Sequence, residues 1–458
     1  MAQSSIISLK VHQVLSIAPK NETSPTTFPF TFFDTLWLRL PPVERLFFYE
    51  NPNLSTTFFF ESILPNLKNS LELTLQHFLL LVGNITWPQD SPHPTINYVP
   101  SDSISFIVAE SNENFNHLCS NLCEVEKKQP FIPSLKISHE KASIIALQVT
   151  FFPNHGFCIG ITTHHAAVDG KSSTLFMKSW SYFCSNLVKN TPSLTLPQNL
   201  TPFFDRSIIN DPLGINESYS KVWLNFGGEI NNRSLKVWET ISAPKGEAIK
   251  GFFELSPLHI QKLKKYAQSK IEKNKVKLST FSVTCAYLLS CTIKIENPNS
   301  NKVAFIFSVD CRPRLDPPIN ANYFGNCVLP QLVMAKTEAW LKDDGFISAL
   351  EGIIDTLNGL ENGVLNGAEN WYSKMQSTMS ETNGRMFSIA GSPRFEVYNF
   401  DFGWGKPKKV DVTSIDKTGA FSLSENKNND GGIEIGLALN KQQMDHFVQH
   451  FSQGLESL

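Results

Sequence analysis

No apolar run in this chain reaches the ~18 residues that a membrane-spanning helix needs. Its N-terminus, MAQSSIISLKVHQVLSIAPK, alternates apolar and polar residues as a half-buried strand does, without the basic stretch and long apolar core of a secretion signal. Charge of one sign is also missing. The formal net charge is −2, and no basic arm or stripe stands out, so neither nucleic acid nor membrane insertion is expected. The eight cysteines are scattered without the tight spacing of a disulfide framework, which suits reduced thiols and a cytoplasmic protein. Reactive-site signatures are absent too. There is no G-x-S-x-G elbow, and the GKSS at Gly170 has His165 where a phosphate-binding loop requires glycine. His117, Cys119 and Cys123 offer three metal ligands from what reads as one helix, but a fourth is not evident and no metal is expected. No internal repeat or low-complexity tract is present.

What the chain does have is the segment FCIGITTHHAAVDGKSSTL, which begins at Phe157. Residues 158–161 read as a short buried strand and 171–184 have helical periodicity, so HHAAVDG is a loop pinned between two rigid elements. It places His165 and Asp169 four residues apart. An imidazole titrates near ~6.5 and can take a proton at neutral pH, while a nearby carboxylate fixes either its tautomer or its loop. His164 lacks an acid at the same spacing and reads as a neighbour that holds the loop. Far downstream lies DFGWG, starting at Asp401. Two glycines, an acid and an indole are what a tight turn packed around Trp404 requires.

With 458 residues and 41% apolar content, the chain can build two cores. A stretch rich in Pro, Asn, Ser and Thr runs from Ser185 to Asn216 and reads as a crossover. We therefore expect an N-terminal domain over residues 1–185, a linker over 186–220 and a C-terminal domain over 221–458. Strands at 104–108, 146–151, 303–309 and 432–437 alternate with helices at 257–273 and 281–290, which suggests mixed α/β layers with a pocket between the halves.

HxxxD followed far downstream by DFGWG resembles the plant BAHD family of acyl-CoA-dependent acyltransferases. Further matches are TFFDTLWLRLPPVERLFFYE, KLSTFSVTCAYLLSC, DCRPRLDPP, YFGNC and SPRFEVYNFDFGWGKP, so the resemblance covers nearly the whole chain. It implies a two-domain α/β fold of chloramphenicol acetyltransferase type, each domain a mixed sheet flanked by helices, with the active-site channel at the interface. It also implies His165 as general base, Asp169 as a loop brace paired with Arg312, and acyl-CoA as co-substrate rather than a bound cofactor. Asp401 is sometimes regarded in this family as a second proton acceptor; the residue types themselves favour a turn. A Ser–Thr pair opening a helix offers hydroxyls and backbone N–H groups to a phosphate, and equally an ordinary cap. The resemblance lifts Ser279 and Thr280 to coenzyme A ligands and adds Arg45 as a further cation. Ser392, or a backbone N–H near it, is a candidate oxyanion donor.

YFGNC and PPVERLFFYE look like the branch that acylates sugar hydroxyls of flavonoid and other phenolic glucosides, commonly with malonyl-CoA. A malonyl carboxylate in the channel needs a cation, and Arg45, Lys171 and Lys178 lie near the motifs. The expected protein is a monomeric O-acyltransferase taking an acyl-CoA donor and a glycosylated phenolic acceptor. Two alternatives stand beside it, a hydroxycinnamoyl-CoA-dependent transferase of the same family and a noncatalytic binder of CoA esters or glucosides.

Overall fold

The computed structural model describes residues 9–456 except 22, 192–194, 240–242, 245, 272–277, 297 and 299. Two large mixed sheets, one centred in each half of the chain, carry the fold. The first has six strands in the order Leu9–Ile17, Ile104–Ser111, Ile145–Phe152, Gly156–Thr163, Val43–Glu50 and Lys409–Val412. Every residue of its two middle strands, Ile145–Phe152 and Gly156–Thr163, is buried. That explains their near-continuous apolar runs, since both faces of the sheet are covered. Gly160 is fixed by this crowding, because a Cβ there would sit 2.2 Å from the carbonyl oxygen of Phe131.

The second sheet has seven strands, ordered Val328–Lys336, Lys302–Asp310, Met386–Gly391, Phe421–Glu425, Ile433–Asn440, Ala248–Leu255 and Leu122–Glu124. Helices Thr280–Glu296, Gly345–Gly359 and Lys441–Glu456 belong to the same apolar core. A small four-stranded antiparallel sheet (Thr26–Pro29, Thr95–Tyr98, Asn84–Thr86, Lys141–Ser143) completes the N-terminal half. The expected strands and helices are present, most of them a few residues longer at their ends, whereas the helix expected over 257–273 ends at Lys270 and residues 272–273 lie outside the described residues. The helix after HHAAVDG runs over Gly170–Val188, and another starts at Ile215. Between them, Arg206 reaches Asp34, while Phe203 bridges to Tyr323.

Each half lends a strand to the other. Lys409–Val412 closes the first sheet against Val43–Glu50, and Leu122–Glu124 closes the second against Ala248–Leu255. The crossing points share a buried charge cluster. Asp411 meets Lys128 at 2.8 Å and Lys250 at 3.2 Å, and Lys250 also meets Asp416 at 2.6 Å. Burial alone would push both carboxyls up; two lysines pull Asp411 below its ordinary range, whereas Asp416, beside that carboxylate, stays raised. The Phe252 ring lies under Lys128 at 4.9 Å and Lys409 at 3.4 Å.

Removing one member of a buried ion pair leaves the others uncompensated. Asp411→Ala should cost about 3 to 5 kcal/mol in chemical denaturation. A loss below about 1 kcal/mol would show that the cluster does not hold the exchanged strands together.

Candidate active site

The loop after strand Gly156–Thr163 is held from both ends. His164 N–H donates to the Ile144 carbonyl at 2.8 Å, and His164 Nδ1 accepts from Ala166 N–H at 3.2 Å, so His164 is a loop-shaping residue. Asp169 ends the loop as the N-cap of helix Gly170–Val188, its Oδ1 accepting from Ser172 N–H at 2.8 Å. Its Oδ2 meets Arg312 Nη1 at 2.9 Å and accepts from Cys327 N–H at 3.0 Å. Arg312 is 1% exposed and donates also to the carbonyls of Tyr323 and Gly325 and to Ser172 Oγ. The carboxylate therefore faces the C-terminal half, where DCRPR and YFGNC meet it.

His165 projects between the two halves. Its ring stacks on Trp37 with centroids 4.3 Å apart and an interplanar angle of 11°. Nδ1 is buried without a hydrogen-bond partner, while the residue as a whole is partly buried. Burial pushes the imidazole pKa down to about 4; contact with its own backbone and the Asp169 charge pull the other way. His164, more deeply enclosed, falls to about 3. Both rings are neutral at pH 7, the state a general base requires.

Asp401 sits elsewhere. Its Oδ1 accepts from Gly403 N–H at 2.7 Å and Gly405 N–H at 3.0 Å, closing a turn in which both glycines have positive φ. A Cβ on Gly403 would meet Val188 at 2.8 Å. Phe402 packs edge-on to Trp180, and Trp404 to Phe157, so DFGWG docks on the N-terminal core. Among the described residues no contact joins Asp401 to His165. Ser392 likewise spends its hydroxyl on a local turn, accepting from Arg394 N–H at 3.2 Å.

Ser279 caps helix Thr280–Glu296 by accepting from Ser282 N–H at 3.0 Å, and Thr280 Oγ1 accepts from Lys264 Nζ at 3.1 Å. Hydroxyls, helix N-terminus and lysine form an anion-compatible edge; Lys277 of the same motif lies outside the described residues.

The three candidate cations differ in what they touch. Lys171 pairs with Asp310 at 3.1 Å and Lys178 with Glu396 at 2.8 Å, both partly exposed. Arg45 is 6% exposed, has no carboxylate partner among the described residues, and leaves Nε without a hydrogen bond. Burial lowers its pKa to about 10, still charged at pH 7. It lies over the Phe395 ring at 5.8 Å and lines a narrow cavity with Phe252, Val410, Ser422 and Gly436, between strands of the two sheets. Gly170 is beside it: a Cβ there would come within 3.4 Å of Arg45 Nη2.

One expectation fails on geometry. His117, Cys119 and Cys123 do not share a helix, because Phe115–Leu118 is a single turn and Cys123 lies on the strand Leu122–Glu124. The strand is set by antiparallel pairing with Ala248–Leu255, a long-range contact that overrides the local pattern. The side chains that converge are instead His117, Cys123 and Glu124, with His117 and Glu124 2.6 Å apart. Trp37 and Asn326, both at His165, lie within TFFDTLWLRLPPVERLFFYE and YFGNC, but their residue types alone do not show that they meet it.

The profile of the Transferase family matches residues 7–454, and the chain belongs to that family, as an acyl-CoA-dependent acyltransferase of the BAHD kind. It is 38% identical to phenolic glucoside malonyltransferase 1 of Arabidopsis thaliana, covering 98% of each chain. Agmatine coumaroyltransferase of the same plant is 34% identical, covering 97% of this chain and 99% of its own. Among solved structures, vinorine synthase superposes with a TM-score of 0.72 at 22% identity over 96% of each chain, which shows the shared two-domain fold.

The lowered pKa of His165 has a definite sign. With His165 as the base, which works deprotonated, the acid limb of kcat/KM should fall near the imidazole's lowered pKa of about 4 rather than at 6.5. Stability should run the same way. The unfolded imidazoles take up protons first, so the contribution of His164 and His165 is complete above pH 6.5 and declines as pH falls toward 4. A pH–rate series with melts at each pH checks both, and a limb at or above 6.5 contradicts the dry-base geometry.

Proposed function

We propose that this protein moves a malonyl group from malonyl-CoA to a sugar hydroxyl of a flavonoid or other phenolic glucoside. The observation that carries the reaction type is a neutral, partly accessible imidazole held by an interdomain brace. His165 Nε2 takes the proton of the hydroxyl as its oxygen attacks the thioester carbonyl. The carbon–sulfur bond then breaks, and the imidazolium returns the proton to the departing CoA thiolate. Both substrates occupy the site together, and no covalent enzyme intermediate is needed. Asp169 serves by fixing the loop through Arg312, and Asp401 by closing the DFGWG turn. Ser279, Thr280 and Lys264 meet the phosphates of coenzyme A. Residues 1–185 and 221–458 act as the two units of the site, joined by 186–220. The protein works as a monomer in the cytoplasm; its eight free cysteines, seven of them buried, fit a reducing compartment, and no described helix is long and apolar enough to cross a membrane.

The donor follows from the cations. Lys171 and Lys178 already have carboxylate partners, whereas a buried Arg45 without one is a place for an anion of about carboxylate size. The malonyl carboxylate is that anion in this reading. Similarity to a coumaroyltransferase keeps an aromatic donor as the second reading; it would have no use for an unpaired guanidinium.

Two substitutions test the reading. His165→Ala should lose about 10²- to 10⁴-fold in kcat with substrate binding retained. Wild-type turnover in folded protein would remove His165 from the mechanism, and absent turnover in the unmodified protein, across malonyl-, acetyl- and coumaroyl-CoA with glucoside acceptors, would favour a binding protein. Arg45→Gln should cut the malonyl-to-acetyl preference by about tenfold or more, the scale of one charge-assisted pair. An unchanged ratio, or coumaroyl-CoA as the better donor from the start, would discard the malonyl assignment and leave the acyltransferase assignment standing.

A further inference from the structure

His165 is gripped at two points that trace back to one buried acid. Asn326 is 0% exposed, and its Nδ2 donates to the His165 backbone carbonyl at 3.0 Å and to Asp34 Oδ1 at 3.2 Å. The Asn326 backbone N–H donates to the same Asp34 oxygen at 3.2 Å. The other oxygen of Asp34 ion-pairs with Arg206, which is 4% exposed, and accepts from Thr31 N–H at 2.9 Å. That last bond caps the short helix Phe32–Thr35, whose next turn carries Trp37; Trp37 N–H donates to the Asp34 carbonyl at 3.1 Å. Trp37 in turn lies flat on the His165 ring.

We propose that Asp34 and Asn326 are positioning residues for the base. Asn326 fixes the peptide of His165, Asp34 fixes Asn326 and the Trp37 turn together, and Arg206 balances the buried charge. Neither residue is assigned a contact with substrate. Their effect is on where the imidazole stands, and an error of about 1 Å at a reacting group is enough to cost roughly 10²-fold in rate. The three stretches involved, TFFDTLW, the crossover segment and YFGNC, are far apart in sequence. Their junction gives YFGNC two jobs: its carbonyls hold Arg312, and its asparagine holds His165.

This inference rests on His165 being the base. The test uses Asn326→Ala and, in case that variant fails to fold, Asn326→Ser, which keeps a small hydroxyl donor. Steady-state rates are normalised to folded protein, with the pH profile and melting temperature measured beside them. Charged and titratable groups around the imidazole are Asp169 and His164 on its own loop, Arg312 behind Asp169, and Asp34 with Arg206 behind Asn326; all remain in the variants. The expected result for alanine is a kcat lowered about 10- to 100-fold, a KM for malonyl-CoA within about twofold, and an acid limb moved up toward 6.5 as the ring leaves its dry slot. Serine should fall between alanine and wild type. A role in stability alone would lower the melting temperature and leave both kcat per folded site and the limb in place, and that result overturns the proposal. Should His165→Ala abolish turnover while the Asn326 variants keep wild-type kcat, the positioning role fails and the base stands; should His165→Ala stay active, the base assignment itself fails.

Discussion

The Arg312 guanidinium is the part on which the rest of the site depends. It is sunk almost completely between the halves, and a cation taken out of water is costly unless every donor finds a partner. Here the partners come from both halves: Asp169 and Ser172 at the start of helix Gly170–Val188, and Asp310, Tyr323 and Gly325 from the other side. Separating the halves would take Asp169 and Ser172 away from that charge, which ties the halves together at the loop that carries His165. Buried ion pairs are often no more stabilising than apolar packing of the same volume. What this one supplies is a defined orientation of the loop, which apolar contact alone specifies poorly.

A second layer of buried charge works at the exchanged strands. Asp411 lies between Lys128 and Lys250, and Lys409 pairs with Glu434 at 2.8 Å over the Phe252 ring. Against that background of satisfied lysines, the unpaired Arg45 stands out. It occupies the strand that pairs with both Gly156–Thr163 and Lys409–Val412, so it is rigidly presented. In the donor reading proposed above, a fixed cation on a sheet discriminates between acyl groups better than a lysine on a flexible stem does, because little side-chain entropy is lost when the anion arrives.

The sequence carried the local pieces well. HHAAVDG between an apolar run and a helical period shows both the loop and the candidate base, and the order of motifs along the chain carries the family and with it the two-domain plan. The exchange of strands was not legible. Residues 117–123 read as one helix and nothing local marks 409–412 as a strand, since the partners, Ala248–Leu255 and Val43–Glu50, lie far away in sequence. Asp34, Trp37 and Asn326 were equally hidden, since nothing in an acid inside an aromatic run or an amide beside glycine shows which distant residues it meets. Their roles arise only when residues 34, 206 and 326 converge, which no single-segment pattern encodes. Asp401 shows the opposite case, in which residue types alone pointed to a turn.

For the general-base role that we propose for His165, its desolvation raises a chemical question that the brace helps to answer. A base with a pKa near 4 is wholly unprotonated at neutral pH but has little intrinsic pull on an alcohol proton. Its basicity must rise as the reaction proceeds. Proton transfer creates an imidazolium just as negative charge develops on the thioester oxygen and then on the sulfur, and those opposite charges attract. Asp169 adds to this without touching the ring, because its charge already shifts the imidazole upward through space. Neutralised in part by Arg312, it does so without drawing His165 into a permanent ion pair, which would leave the base protonated and idle. The brace thus keeps the carboxylate close enough to favour the imidazolium once formed and too engaged to form it in advance.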